Sequence, residues 1–425
     1  MYDFRLTLGI LVLLGTACTS TATPVRIVTP LATVTSQVTP VPVEAVTPTP
    51  SGAATLEIWL PPQFAPATDT PGGKILQQRL DAFAVRRPDV QIQVRVKSLD
   101  GPGGLLDSLT SASAAAPLSL PDLIALPRPI LETAALKGLL HPYDDLIKDP
   151  EDTDWYDYAL RLARLQDSLF GLPFSGDALV VVYRPETIGR PPADLAELPQ
   201  ATGLLAFPAA DPQALFTLAL YQAAGGEVLD AEGRPILQKD PLTEVLTAYQ
   251  QAAQSERMPF WLTQFQSDDQ AWDAFQKGQS EMVITWMSRY LENQQEGIAV
   301  APIPTLGGED YTLASGWVWA LSGPHPESQA IAAQLAEYLS DSVFISEWNF
   351  ATGYLPPRPS AVHNWQDARL RAFANRLSLS ARLVPSADVL PGLAAPLVEA
   401  TTEMLKLESD PASAAQAAVN RLLAP

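Results

Sequence analysis

The sequence holds one cysteine, Cys18, and three histidines, His141, His325 and His363, among 425 residues. A lone cysteine excludes an internal disulfide framework and any thiolate metal cluster. The histidines are scattered beside proline or in loop patterns and match no metal-ligand spacing, so neither metal nor cofactor is expected. Nucleotide and nucleophile signatures are missing as well: there is no P-loop, no G-x-G-x-x-G after a strand and no G-x-S-x-G elbow. Asp144-Asp145 do not make a glycosidase pair, because that chemistry needs two carboxylates facing each other across a cleft. The acidic stretch 149–157, DPEDTDWYD, lacks the central glycine and the carboxylate spacing of a calcium loop, and reads as a solvated loop with helix caps. No catalytic set emerges, and the chain is not expected to be an enzyme.

Basic residues are few. Lys and Arg number 27 against 47 Asp and Glu, a formal net charge of −20, which argues against nucleic acid or anionic lipid as a partner. Apolar runs are short too: Leu6–Leu14 is of signal-peptide length and too short to span a bilayer comfortably. It runs into Gly15-Thr16-Ala17-Cys18, which resembles the lipobox of bacterial lipoproteins. That resemblance implies cleavage before Cys18, a lipid on its sulfur, and an extracytoplasmic, membrane-anchored protein of the cell envelope. Gly15 stands where leucine is commonest, and Asp3 offsets Arg5.

Proline, by contrast, is abundant at 40 residues. Residues 19–53 repeat Thr-Pro pairs without apolar periodicity or appreciable charge, so they cannot bury enough surface to offset their ordering entropy. They read as a linker able to extend up to about 100 Å at ~3.1 Å per residue.

Beyond residue 53, 47% apolar content overall and a length above that of one ordinary core point to two lobes. Thr55–Leu60 reads as a strand. Leu76, Leu80 and Phe83 stripe a helix, and Val90, Ile92, Val94 and Val96 alternate with polar residues as a second strand. This is a βαβ unit, hence a parallel sheet. Asp122–Leu126 reads as the next strand and Ile130–Lys137 as a helix closed by Gly138. Three Asp-Pro pairs, Asp211-Pro212, Asp240-Pro241 and Asp410-Pro411, read as helix starts, with Asp capping free amides and Pro at the first helical position. Pro and Gly within the extended 171–177, GLPFSGD, mark a place where the chain leaves one sheet for another.

The stretch 274–290, AFQKGQSEMVITWMSRY, carries most in one pass. A helix stops at Gly278, and Met282–Trp286 is a buried strand. Trp286 and Arg289 then sit at its carboxyl end, where open α/β sheets bind ligands. The alternative for Trp286 is a core position.

Taken in order, TLEIW, PDLIAL with LKGLLHPYDDL, QDSLFGLPFSGDALVVVYR, AFQKGQSEMVITW, IAVAPIP, SGWVWALS and FATGYLPPR resemble the maltose-binding-protein type of extracellular solute-binding proteins, the family-1 receptors of ABC importers. The resemblance implies an α/β, two-lobe periplasmic-binding-protein-like fold of type II with the ligand in the interlobe cleft. It places chain crossings near Pro173–Gly176, Ser315–Trp317 and Thr352–Leu355. The N-terminal lobe is then 54–173 with 317–351, and the C-terminal lobe 175–314 with 355–425. Trp59, Asp177, Trp286, Trp317 and Tyr354 fall where relatives face the cleft, and Arg289 joins them as a donor. For Trp319, lobe core is the equal alternative. Tyr183-Arg184 and Gly316-Trp317 depart from the Tyr-Asn and Gly-Gly that relatives often carry.

The expected function is therefore a monomeric, lipid-anchored receptor that captures a small solute, a carbohydrate by the count of aromatics, for an importer's permease subunits. A sensor or scavenger of the same fold, or a secreted glycan hydrolase, is the alternative.

Overall fold

Strand β1 (Ala54–Leu60) starts a computed structural model that describes residues 54–66, 69–147 and 154–423. The leader, Cys18, the Thr/Pro-rich stretch and residues 149–153 of the acidic segment lie outside the described residues. Among the described residues no helix is long and apolar enough to cross a membrane.

β1 pairs in parallel with β2 (Val90–Val96), Leu56 opposite Ile92, and with β3 (Leu123–Pro127), Ile58 opposite Leu123. The helix Pro71–Arg86 makes the first crossover, and its Leu76, Leu80 and Phe83 are buried at the spacing read from the sequence. The helix Arg128–Leu136 follows β3 directly, and Gly138 takes the positive φ (66°) that ends it. A hairpin of two short strands, β4 (Arg164–Leu165) and β5 (Ser168–Leu169), leads into β6 (Leu172–Tyr183). The remaining strands are β7 (Leu205–Ala206), β8 (Met282–Trp286), β9 (Ala299–Ala301), β10 (Thr312–Leu321) and β11 (Ala381–Leu383).

One mixed sheet runs in the order β2-β1-β3-β10-β6-β8-β7, with β11 added on β10 and β9 on β6. Helices cover it, and the buried apolar side chains divide into two clusters. One gathers Leu56–Leu60, Leu123–Leu126, Phe174, Trp317–Leu321 and Trp348. The other gathers Ala178–Val182, Met282–Ile284, Leu313, Leu355 and the helices of the C-terminal third. β6 and β10 each begin in one cluster and end in the other, so this antiparallel pair ties two lobes into a single sheet.

The tie depends on glycine. Gly176 lies opposite Gly316 in the β6–β10 ladder. A Cβ on Gly176 would sit 2.0 Å from Tyr158 Oη, and one on Gly316 would sit 2.4 Å from the Ser175 carbonyl oxygen. Because neither residue has a Cβ, the helix Asp157–Ala163 packs straight onto the crossing. That helix straddles the boundary: Tyr158 and Ala159 belong to one cluster, Leu162 and Ala163 to the other. The ladder slips register between Trp317 and Val318, where the partner is Pro173, which has no N–H to donate.

The third crossing stretch lies beside the first two. Gly353 closes the helix Ser342–Thr352 at φ 78°, and Leu355 then exchanges both backbone hydrogen bonds with Gly176, at 2.7 and 2.8 Å. Asn349, fully buried on that helix, donates Nδ2–H to the Phe174 carbonyl at 2.6 Å and accepts from the Ser175 hydroxyl.

Two of the three Asp-Pro readings need correction. Asp410 caps the helix Pro411–Leu423 by accepting from the Ser413 amide at 3.0 Å. Asp240, however, lies inside the helix Lys239–Gln254, whose cap is Gln238. Asp211 accepts from the amides of Gln213 and Leu215, at 3.0 and 3.1 Å, and so holds a turn; the helix itself starts at Leu215 behind a left-handed Ala214.

Asn349 bonds both Phe174 and Ser175 at the crossing, and truncating it orphans buried partners. Asn349→Ala is therefore expected to lower the unfolding free energy by roughly 2–6 kcal/mol, two lost buried bonds at ~1–3 each, as measured by urea denaturation.

Candidate functional site

Between the two lobes lies a cavity of about 250 Å³. Arg128, Pro129 and Glu132 wall it from the helix after β3, and Trp286, Gln213 and Leu215 wall it from the other lobe. Ser315, on the crossing strand, and the segment Leu383–Pro385 close its remaining sides. A second cavity of about 250 Å³ shares Gln213, Leu215 and Trp286 and adds Asp211, Asp268 and Thr285. Trp286, half-buried at the carboxyl end of β8, is thus a common wall of both. Its position follows from local sequence: the apolar run Met282–Thr285 is consumed by the sheet, and the helix Met287–Glu292 starts immediately after it.

Asp177 fixes that helix. Its carboxylate accepts from Ser288 N at 3.0 Å, from the Ser288 hydroxyl at 2.5 Å and from Ala178 N at 2.9 Å. The two Ser288 bonds tie the crossing strand β6 to the turn that presents Trp286. The carboxyl group lies deep at the crossing, and its desolvation pushes it up from an ordinary 3.8 to about 7, against the lowering effect of the Ser288 and Ala178 bonds. Burial raises Asp211 and Asp268 as well.

The other residues singled out from the sequence occupy distinct places. Trp317 is 7% exposed and meets Phe64 edge-on, ring centroids 5.1 Å apart. Tyr354, half-buried, lies 5.4 Å from the same Phe64 ring. Asp177, Trp317 and Tyr354 are therefore brought together around the crossing. Arg289, one residue past Ser288, turns to the carboxylates of Asp268, at 3.0 Å, and Asp269. Trp59 stands apart, 2% exposed in the N-terminal lobe: its indole N–H goes to Glu57 Oε1 at 2.5 Å, and the Lys97 ammonium covers its ring at 4.7 Å. Trp319 is fully buried and stacks on Phe174 at 4.3 Å, which places it in the lobe core.

Sequence reasoning passed over Arg128 and Glu132. Arg128 Nε donates to Glu132 Oε1 at 2.5 Å, and its Nη1 reaches the carbonyls of Arg161, Leu162 and Arg164 at 2.6–2.8 Å. The guanidinium therefore caps the carboxyl end of the helix Asp157–Ala163, where a cation is favoured. The i,i+4 spacing of Arg128 and Glu132 was the available signal.

Residues 78–372 match the family profile described as bacterial extracellular solute-binding protein. The chain belongs to this family. No curated protein matches the sequence. Among solved structures, this solute-binding protein is similar to a cyclo/maltodextrin-binding protein complexed with maltotetraose, at 20% identity over 88% of this chain and 98% of that one, TM-score 0.71. The cyclic alpha-maltosyl-1,6-maltose binding protein of Arthrobacter globiformis gives 17% identity, 87% and 98% coverage and TM-score 0.71. The maltose-binding periplasmic protein of Listeria monocytogenes in complex with maltose gives 17%, 87% and 97%, and 0.70. At such identities the likeness shows the fold, two α/β lobes of the periplasmic sugar-binding type.

Asp177 generates a pH prediction. Its folded-state proton affinity is above that of the unfolded chain, so the native state binds the extra proton between about pH 4 and 7, and stability falls as pH rises through that window. The loss is at most about 4 kcal/mol for some three pKa units, less what residual solvent contact screens. Asp177→Asn should flatten this slope in denaturation curves taken from pH 5 to pH 8; an unchanged slope would assign the proton to another group.

Proposed function

We propose that this solute-binding protein captures a neutral carbohydrate between its lobes and delivers it to the permease of an ABC-type importer, anchored to the membrane by lipid on Cys18. The observation that carries the reading is the interlobe cavity with Trp286 as its aromatic wall, beside a crossing built from three adjacent chain segments. A flat indole offers an apolar face to the C–H face of a pyranose ring, while Gln213 and Ser315 supply polar groups for its hydroxyls. This division, mostly apolar walls with a few placed polar groups, is the ordinary make-up of small-molecule sites. The structural neighbours described as maltose- and maltodextrin-binding support the same class.

Charge favours a neutral solute over an acidic one. Arg128 is paired with Glu132, and Arg289 faces two carboxylates, Asp268 and Asp269. Both guanidiniums are thus already matched by carboxylates, and neither offers an anionic ligand an unpaired positive charge. Asp177 acts through the helix it holds, and Trp317 and Tyr354 act by shaping the crossing beneath the ligand.

A thermal-shift screen of the purified protein against neutral sugars, polyols, polyamines and peptides tests the class, since a ligand at 100 times its Kd adds about 2.7 kcal/mol to stability. Only the sugars are expected to raise the unfolding temperature; stabilisation by polyamines or peptides alone would replace the carbohydrate reading. With the sugar found, Trp286→Ala should cost roughly 1–3 kcal/mol of binding in calorimetry, about ten- to hundredfold in Kd, with normal folding. Trp317→Ala should instead show mainly as lost stability of roughly 3–5 kcal/mol. Replacing Cys18 with Ser should release the protein from membranes on fractionation, and unchanged membrane association would remove the lipid anchor.

A further inference from the structure

A third cavity, of about 360 Å³, lies beyond the interlobe cavity and shares Arg128, Glu132 and Ala387 with it. Those three shared residues are joined by one bridged carboxylate. Glu132 Oε2 accepts the Ala387 amide hydrogen at 2.8 Å, while Oε1 is held by Arg128. Glu132 is buried and both its oxygens are engaged, so it forms a fixed sill joining the N-terminal lobe to the segment that follows β11.

Past the sill, the half-buried side chains of Phe170 and Leu165 supply an apolar wall. Gln166, Thr133, Ser386 and Asp388 surround it with amide, hydroxyl and carboxylate groups. The Thr133 hydroxyl donates to the Pro129 carbonyl at 3.0 Å, which leaves its oxygen free to accept. Gln166 holds a left-handed φ of 55° at the tip of the β4–β5 hairpin, fixing one rim of the opening. The volume is within the ~300–1,000 Å³ of small-molecule sites, and an aromatic plate inside a polar rim is the arrangement that a sugar ring matches on both its faces and its edge.

We propose that the cleft continues over the Glu132–Ala387 sill into this compartment, which takes the further units of an oligosaccharide with Phe170 as their stacking plate. The proposal rests on the carbohydrate reading above and adds to it a second site, a direction for the ligand and a preference for length. Glu132 is then a positioning residue that sets where one compartment ends and the next begins.

Calorimetric titration with maltodextrins and cello-oligosaccharides of two to six units, against wild type, Phe170→Ala and Ser386→Trp, tests it. In wild type the affinity should rise about tenfold or more between the shortest oligomer that binds and those long enough to cross the sill. Phe170→Ala should remove that rise and leave the short oligomer within about twofold of wild type. Ser386→Trp, which fills the compartment from the opposite wall, should do the same with an unchanged unfolding temperature, so that a folding defect in the first variant does not decide the matter. An affinity independent of length in wild type, or variants that weaken short and long oligomers alike, would overturn the second compartment while the carbohydrate reading stands. Failure of every oligomer to bind wild type at any length would remove the carbohydrate reading and this inference with it.

Discussion

The close approach at Gly176 and Gly316 is the contact on which the other features depend. Two strands carry the sheet from one lobe to the other, and the helix Asp157–Ala163 rests on them where no side chain intervenes. The same helix is gripped at its carboxyl end by Arg128, whose partner Glu132 forms part of the cleft wall and reaches across to Ala387. The crossing and the wall of the cleft are thus mechanically continuous through one guanidinium.

The cleft chemistry shows which of two effects dominates. Its arginines are matched or outnumbered by acids, and several of these acids have raised proton affinity because they are desolvated. Neither Arg128 nor Arg289 is left without a carboxylate partner. What remains is apolar contact with Trp286 and hydrogen bonding by groups already held in place, the ordinary make-up of a small-molecule site. Asp177 shows how polar groups are used here: three donors satisfy its carboxylate, and the two from Ser288 orient the turn that carries Trp286.

Much of the fold was legible. The period-two alternation of β2 and the striped helix before it predicted a parallel unit, and Leu56, Ile92 and Leu123 do share one sheet. Segment order carried the family resemblance, because each strand and its following turn preserve a recognisable local pattern. The candidate site was legible only in part. Trp286 could be placed from its strand alone, since β8 ends where the cleft begins. Trp59 illustrates the opposite case: a strand-end aromatic in sequence, it is capped by Glu57 and by Lys97, just past the end of the neighbouring strand, a pairing that no local pattern announces. Arg128, Glu132 and Phe170 were missed because their roles come from contacts with residues that lie 33 to 255 positions away or from the lining of a cavity. Asp240-Pro241 misled for a different reason, since the helix gained an extra residue before its expected cap.

The interleaving of the two lobes along the chain bears on how such a protein is made. The N-terminal cluster needs Trp317–Leu321 and Trp348 before it can close, and the other cluster needs helices up to Ala418. Neither core is complete on a partly synthesised chain, so stable structure waits for residues hundreds of positions from the start, and folding dominated by such distant pairings is slow. For a member of an extracellular family this delay is useful. A polypeptide that remains loose while it is being synthesised is one that can still be threaded through a narrow translocation pore, and the architecture that later forms the cleft also keeps the chain competent for export.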